Sequence, residues 1–175
     1  MVCIKKSKIT DMRQSIFNKD IDNARMHITR EFNAPIERVW RAWTDPAIID
    51  LWWAPKPWKA ETKSHNLREG GEWLYCMNGP EGEKHWAKAT FQKVEAPNLY
   101  EGLDAFCDEH SVVNPEIPFM HWKVEFEAKG DLTMVNVTIT FDTLESLETI
   151  VSMGFQEGFT MAHGNLDELI EKNLI

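Results

Sequence analysis

Residues that could perform acid–base chemistry are few and lie far apart in this chain. His163 falls at the flank of an apolar helical stripe, where it could form a structural hydrogen bond or contact a bound ligand. Glu69, Glu72 and Glu101 could each act as a general acid or base, but nothing in the sequence pairs one of them with a histidine. The sequence therefore predicts no defined catalytic residue.

Metal-ligand residue types occur together in the run Cys107-Asp108-Glu109-His110. Neighbouring side chains of an extended segment diverge, and no second cluster completes a site. The cysteines Cys3, Cys76 and Cys107 are far apart and form no CxxC pair, which is typical of reduced thiols. The chain also contains no HExxH, no GxSxG and no phosphate-binding glycine loop, so we predict no metal and no cofactor.

Tryptophan is the unusual residue type, with eight in the chain. Trp40 and Trp43 share the apolar face of a predicted helix, which favours packing in the core. Trp52, Trp53 and Trp58 flank prolines at a helix end, where large rings could line the mouth of a pocket. The concentration of five tryptophans between residues 40 and 58 indicates a large apolar space nearby.

Trp73, Trp86 and Trp122 alternate with polar residues in strand-like segments. Because successive side chains of a strand face opposite sides, any of these rings that point inward would line the floor of a cavity. His85 and His121 precede two of them. If Trp86 and Trp122 face in, those histidines face out.

These residues need elements to position them, and the carboxy-terminal segment carries the strongest periodic signal. From Gly154 to Lys172, apolar residues recur at steps of three and four, as on one side of an α-helix. Gly158 and Gly164 interrupt this helix, which suggests a close backbone approach or room left for a ligand. The apolar stripe consists of Phe155, Phe159, Ala162, Leu166, Leu169 and Ile170.

Two short helices are predicted after a first strand that begins at Ala24. Asn33 is a plausible N-cap, and Pro35 fits the first turn because its missing N–H needs no partner there. Ile36, Val39, Trp40 and Trp43 then form a helical stripe, and Thr44-Asp45-Pro46 separates this helix from a second one over Pro46 to Trp53.

The middle of the chain has the pattern of an antiparallel meander, since alternating segments are separated by Gly, Pro and Asn turns. A polar loop follows from Asp108 to Pro118, and Leu144 to Val151 could form a short helix. The order of elements indicates an α+β fold with a helix layered on an antiparallel sheet. The predicted strands are Trp58 to Leu67, Glu72 to Asn78, Lys84 to Val94, Leu99 to Cys107, Met120 to Ala128 and Leu132 to Phe141.

Composition excludes several classes of protein. With 175 residues the chain is about one domain, and no apolar run approaches the roughly 18 residues of a membrane-spanning helix. The net charge of −9 argues against nucleic-acid binding, which rests on Lys and Arg. The amino terminus lacks the apolar stretch of a secretory signal, so we expect a cytoplasmic protein.

Residues 1–23 have mixed charge and weak periodicity. We expect an amino-terminal extension there, as an arm, a short helix around Met12 to Phe17 or a disordered tail. The domain itself is expected over residues 24–175.

Five motifs follow one another along the chain, namely Phe32 to Pro46, Trp52-Trp53-Ala54-Pro55, Arg68 to Trp73, Gly158 and Leu166-Asp167-Glu168-Leu169. Together they resemble the family of ATPase-activator homologues of heat-shock protein 90, in the START-like (SRPBCC, Bet v 1-like) superfamily. The resemblance covers about residues 24–172 and implies a helix-grip fold, in which a curved seven-stranded antiparallel sheet surrounds the long carboxy-terminal helix and leaves an apolar cavity. Members of this superfamily bind lipids or hormones, act as polyketide cyclases, or activate a chaperone.

The aromatic excess and the resemblance together predict a non-enzymatic domain that binds a small apolar or aromatic ligand. Two alternatives remain open: a protein-interaction module that binds a chaperone or a second copy of itself, and a cyclase or hydrolase whose acid or base comes from the cavity. The predicted ligand contacts are Trp53, Trp58, Trp73, Trp122, Phe126, Phe155, Phe159 and His163.

Overall fold

A computed structural model describes residues 14–175 as eight strands and four helices. The predicted elements between Ala24 and Lys172 are all present, with ends that differ by only a few residues. The elements are β1 (Ile16–Asp20), β2 (Arg25–Phe32), α1 (Ile36–Thr44), α2 (Pro46–Trp52), β3 (Lys59–His65), β4 (Glu72–Asn78), β5 (Lys84–Glu95), β6 (Leu99–Cys107), β7 (Met120–Lys129), β8 (Leu132–Thr140), α3 (Leu144–Ser152) and α4 (Phe155–Glu171).

All eight strands form one curved antiparallel sheet in the order β1-β2-β8-β7-β6-β5-β4-β3. Between β3 and β8, neighbours along the chain are also neighbours in the sheet, as in a meander, and β2 closes onto β8. The predicted α+β fold is therefore confirmed, and its architecture is consistent with a helix grip.

The predicted number of strands was wrong, because the sheet has eight strands and not seven. The additional strand β1 comes from the predicted amino-terminal extension and pairs with β2, with Phe17 opposite Ile28. It hydrogen-bonds to the edge that β2 would otherwise expose. Phe17 is thus in a strand, not in the short helix considered there, and residues 12 and 13 lie outside the described part.

The chain enters α1 later than predicted. Pro35, not Asn33, is the N-cap residue of α1, and it has an extended backbone with φ −61° and ψ 155°. Proline has no side-chain acceptor, and no side-chain hydrogen bond caps this helix. The next helix is capped as its sequence suggests, because the Asp45 side chain accepts from the backbone N–H of Ala47 and Pro46 opens α2.

The core lies between one face of the sheet and the helices α1, α2 and α4. The predicted alternation of β7 and β8 is confirmed, since their apolar residues are buried and contact the helices. Asn165 links α4 to the end of α2 by hydrogen bonds. Its side-chain amide nitrogen donates to the backbone carbonyls of Trp52 and Ala54, at 3.3 and 3.1 Å. Among the helices of residues 14–175, none combines the length and apolar character needed to cross a membrane.

Candidate ligand-binding cavity

A cavity of about 370 Å³ lies between the sheet and the α3–α4 junction. Its volume falls within the range of small-molecule sites, at the lower end. Strands β4 to β7 supply one wall, and residues at and after the carboxyl end of α2 supply another. The lining residues are Trp53, Pro55, Trp58, Tyr75, Met77, His85, Ala87, Asp104, Ala105, Phe106, Met120, Trp122, Ile150, Met153, Gly154, Phe155, Gly158 and Phe159.

Five of the eight predicted contact residues lie on this cavity. They come from three separate parts of the chain, namely the α2–β3 region, the inner face of β7 and the first turns of α4. Trp73, Phe126 and His163 do not line it. The residues on the cavity wall are Trp53, Trp58, Trp122, Phe155 and Phe159.

Trp73 and Phe126 are displaced from the cavity by packing. Trp73 stacks on Tyr75 with ring centroids 4.1 Å apart, and its indole N–H donates to the Thr62 hydroxyl at 2.9 Å. It lines instead a smaller space of about 20 Å³ on the far side of Trp53. Phe126 lies beneath α1, where its ring centroid is 5.2 Å from that of Trp40.

His163 is a core residue and has no exposed surface. Its Nδ1 lies 2.7 Å from the Ser15 hydroxyl, and its Nε2 has no hydrogen-bond partner among residues 14–175. Burial, with a smaller effect from Arg30, lowers the pKa of His163 to about 3. The imidazole is therefore neutral at physiological pH and lies behind Phe159 as seen from the cavity.

Trp53 is the central ring of the cavity wall. It follows α2 directly, so the helix end and the Asn165 hydrogen bonds fix its position. Its ring centroid lies 6.0 Å from Trp122, 5.9 Å from Phe159 and 6.3 Å from Tyr75. Several of these contacts are edge-to-face, a geometry that aromatic pairs favour.

The open space exists because the sheet presents small residues beneath the rings. Ala87 on β5 borders the main cavity, and Ala89 on β5 with Gly102 on β6 borders the smaller space beside Trp73. A side chain at Gly102 would be tightly placed, since a Cβ there would lie 3.1 Å from the carbonyl oxygen of Thr90. Short side chains at these alternating positions leave the volume that α4 does not fill.

Asp104 is the polar group on the cavity floor. It lies opposite Ala89 in the register of β5 and β6, and opposite Met120 across β7. Its side chain borders both the main cavity and the smaller space beside Trp73. Within the described residues, no hydrogen bond or ion pair joins its carboxyl group to another side chain.

Burial raises the pKa of Asp104 to about 8, so the carboxyl group is mostly protonated at neutral pH. Burial, and then the nearby Asp104 carboxylate, also raise the pKa of Tyr75 and of Tyr100 above the usual range. The sequence analysis missed Asp104. The available signal was its place two residues from Gly102 and Phe106, on the face of β6 that also carries Tyr100.

Trp58, His85 and Met153 surround the opening of the cavity to solvent. Trp58 and His85 are in ring contact, with centroids 4.9 Å apart, and Met153 is 54% exposed. On β5, His85 faces the cavity and Trp86 the opposite side, where Lys63 Nζ lies 5.6 Å from its ring centroid. On β7 the orientation is the reverse, because Trp122 is buried and His121 exposed.

Two other candidates, the acid–base residue Glu72 and the metal-ligand residue Asp108, have hydrogen-bond partners outside the cavity. Glu72 accepts from Lys88 Nζ at 2.9 Å, and the Asp108 carboxylate accepts from the backbone N–H groups of His110 and Val112. No group of three metal-ligand side chains occurs in the part of the chain that the structure describes. Asp104 and His85 are not placed as a catalytic Asp–His pair either. Asp104 lies opposite Ala89, and His85 is four residues from Ala89, about 13 Å along β5.

Comparison with known proteins places this geometry among similar folds. The sequence model of the family described as Activator of Hsp90 ATPase homolog 1-like protein matches residues 33–171. A search of curated proteins finds no match.

Three solved structures illustrate the structural similarity. A crystal structure of a Mycobacterium smegmatis protein has a TM-score of 0.83 and 31% identity, covering 89% of this chain and 96% of that one. A solution structure from Arthrobacter aurescens has a TM-score of 0.84 and 32% identity, covering 90% and 91%. A Staphylococcus epidermidis protein has a TM-score of 0.79 and 26% identity, covering 91% and 95%.

Proposed function

Because the chain belongs to the family of Activator of Hsp90 ATPase homolog 1-like proteins, we propose that its START-like domain binds a small hydrophobic molecule in the cavity between the sheet and α4. The observation that carries this proposal is the cavity itself. Its volume of about 370 Å³ is bordered by seven aromatic side chains, namely Trp53, Trp58, Tyr75, Phe106, Trp122, Phe155 and Phe159.

Aromatic walls of this kind support binding more than catalysis. A ligand that replaces water against these rings gains about 25 cal/mol for each Å² of apolar surface that it buries. The floor offers one carboxyl group, and the residues that border the space provide no nucleophile–base pair. Binding without turnover is therefore the activity that the arrangement supports best.

Native mass spectrometry of the freshly purified protein tests this proposal, followed by denaturing extraction of any bound molecule. We expect a mass excess that disappears on unfolding and a released compound small enough for the cavity. The matched variants Gly158→Leu and Gly164→Leu locate the site, because residue 158 lines the cavity and residue 164 does not. A bound compound retained equally by both variants would contradict the cavity as its site.

A ligand that dissociates during purification requires a second measurement. Titration with hydrophobic fluorescent probes should then reveal a site that Gly158→Leu blocks and Gly164→Leu leaves intact. The absence of any such site would overturn the ligand-binding proposal and favour the protein-interaction alternative, which the same native spectra would reveal as a retained partner chain.

A further inference from the structure

We propose that the ligand is an organic cation, with an apolar or aromatic body and one protonated amine for which Asp104 is the counter-ion. This inference rests on the proposed ligand-binding function and specifies its chemical class. It is carried by an acidic side chain that has no hydrogen-bond or ion-pair partner among residues 14–175 and lies on the floor of a mostly apolar cavity.

The missing partner distinguishes Asp104 from other shielded carboxylates of the protein. Asp50 accepts from the hydroxyl and the backbone N–H of Thr62, and Asp167 pairs with Arg30. Asp104 is half-buried, and a carboxylate that is largely shielded from water is unfavourable without a hydrogen bond or an opposite charge. Asp104 has neither among residues 14–175, and its side chain borders space where a ligand could supply both.

The charged side chains around the cavity favour a ligand with a positive charge. No lysine or arginine occurs among the described lining residues, and His85 is at the exposed opening. A carboxylate or phosphate ligand would approach Asp104 without a basic side chain to stabilise it. A cation meets no such obstacle, and the net charge of −9 favours its approach.

The rings next to Asp104 add a second source of attraction. Trp53, Tyr75 and Trp122 border the same space as Asp104. The Trp53 ring contacts the other two rings, with centroids 6.3 Å from Tyr75 and 6.0 Å from Trp122. Ring faces attract ammonium groups within about 6 Å, and more strongly when water is excluded. A carboxylate beneath a group of aromatic rings is therefore suited to an amine attached to an apolar body.

Titration of the site provides an additional readout. Tyr75 and Tyr100 are the titratable groups that interact with Asp104. Both are neutral at pH 7, and burial raises their pKa values still further above it. The pKa of about 8 means that most free protein carries a proton on Asp104 at pH 7. A cationic ligand stabilises the carboxylate, so its binding should release close to one proton per site.

The experiment compares three probes of nearly equal shape by isothermal titration calorimetry at pH 7. They are 2-naphthylmethylamine, 2-naphthalenemethanol and 2-naphthoate, which carry a positive, a neutral and a negative group on the same ring system. We expect the amine to bind at least tenfold more tightly than the alcohol, and the carboxylate to bind most weakly. Repeating the amine titration in buffers of different ionisation enthalpy should show the released proton.

The variant Asp104→Asn should remove both the amine preference and the proton release, while the affinity for the alcohol changes little. Asp142→Asn is the matched control, since it removes the same charge from an exposed position. We expect this control to retain the tenfold preference. Alcohol binding also reports whether the Asp104→Asn cavity is intact.

Two results would overturn the inference, and they are distinguishable. Equal affinity for amine and alcohol, or an amine preference that survives in Asp104→Asn, would remove the cation assignment and leave ligand binding in place. Absence of binding by all three probes up to their solubility would overturn the proposed function and this inference with it.

Discussion

The rings of Phe159 and His163 lie one helical turn apart on α4, with centroids separated by 4.1 Å. Phe159 borders the cavity, while His163 is enclosed in the core behind it. The same helix face therefore contributes an apolar contact surface and a buried neutral imidazole. This separation assigns His163 to the packed core and Phe159 to the wall of the cavity.

Acidification should destabilise the protein through His163. Its pKa is about 3 in the folded state and near 6.5 when exposed, so the unfolded chain binds the additional proton between these values. The stability is fully present above pH 6.5 and is lost as the pH falls towards 3. From pH 7.5 to pH 5, this residue should lower the free energy of unfolding by about 2 kcal/mol.

Urea denaturation of His163→Leu at the two pH values measures this contribution. The difference in unfolding free energy between them should be about 2 kcal/mol smaller in the variant. His110→Gln, on an exposed loop, serves as the control and should keep the wild-type difference. An unchanged difference in His163→Leu would show that the imidazole is not held neutral.

Asp104 should give the opposite pH dependence. Its folded pKa of about 8 lies above the ordinary value of 3.8, so its protonated form favours the folded state. That contribution is complete below pH 3.8 and is lost as the pH rises through 8. Asp104→Asn should therefore stabilise the protein more at pH 8 than at pH 5, by on the order of 3 kcal/mol.

Thermal or urea unfolding of Asp104→Asn at both pH values measures this effect. Asp142→Asn removes an exposed charge and should show no comparable change between pH 5 and pH 8. If the advantage of Asp104→Asn were constant with pH, the carboxyl group would have to titrate normally and face bulk water.

The two glycines inside α4 should both be replaceable by alanine with a gain in stability. A Cβ at Gly158 would meet the Pro55 ring at 3.7 Å, an ordinary contact, and a Cβ at Gly164 would meet nothing within 4 Å. Each Gly→Ala change should raise the free energy of unfolding by about 1 kcal/mol. Urea denaturation would contradict this expectation if either alanine variant were less stable than the wild type.

The ion pair between Arg30 and Asp167 should respond unequally to removal of its partners. Arg30 is 5% exposed, whereas the Asp167 side chain is 29% exposed and can be hydrated. Asp167→Asn leaves a buried guanidinium without its counter-charge and should cost about 3 kcal/mol. Arg30→Met leaves no buried charge and should cost less.

Denaturant unfolding of both variants tests this order. Glu168→Gln removes exposed ion pairs with Lys56 and Lys172 and should leave the unfolding free energy nearly unchanged. A larger loss for Arg30→Met than for Asp167→Asn would show that the guanidinium stabilises the fold through its packing more than through its charge.

The helices and most strands were predictable because local chemistry determines them. Steps of three and four in α4 and strict alternation in β7 and β8 indicate both the element type and its buried face. Asp45 and Pro46 likewise fix the start of α2. The family match confirmed what these patterns and the motifs around Pro35 had indicated.

The missed features depend on residues that are distant in sequence. Strand β1 has only five residues, with weak alternation, and its stability comes from pairing with β2. The sequence did not indicate which face of β5 points inward, because each face carries an aromatic ring. Trp86 lies on one face, and Phe91 lies on the other, inward face with His85. Asp104 looks like any polar strand residue until Tyr75, Ala89 and Met120 surround it.

The short side chains at Ala87 and Ala89 have a consequence for the size of the space above β5. Backbone hydrogen bonds hold β5 in the sheet, and the inward side chains take no part in that ladder. Exchanging one methyl group for a larger branched side chain would therefore reduce the room above β5 without altering strand pairing. The size of the space can therefore change by substitutions at these two alternate positions, while the framework that surrounds them stays the same.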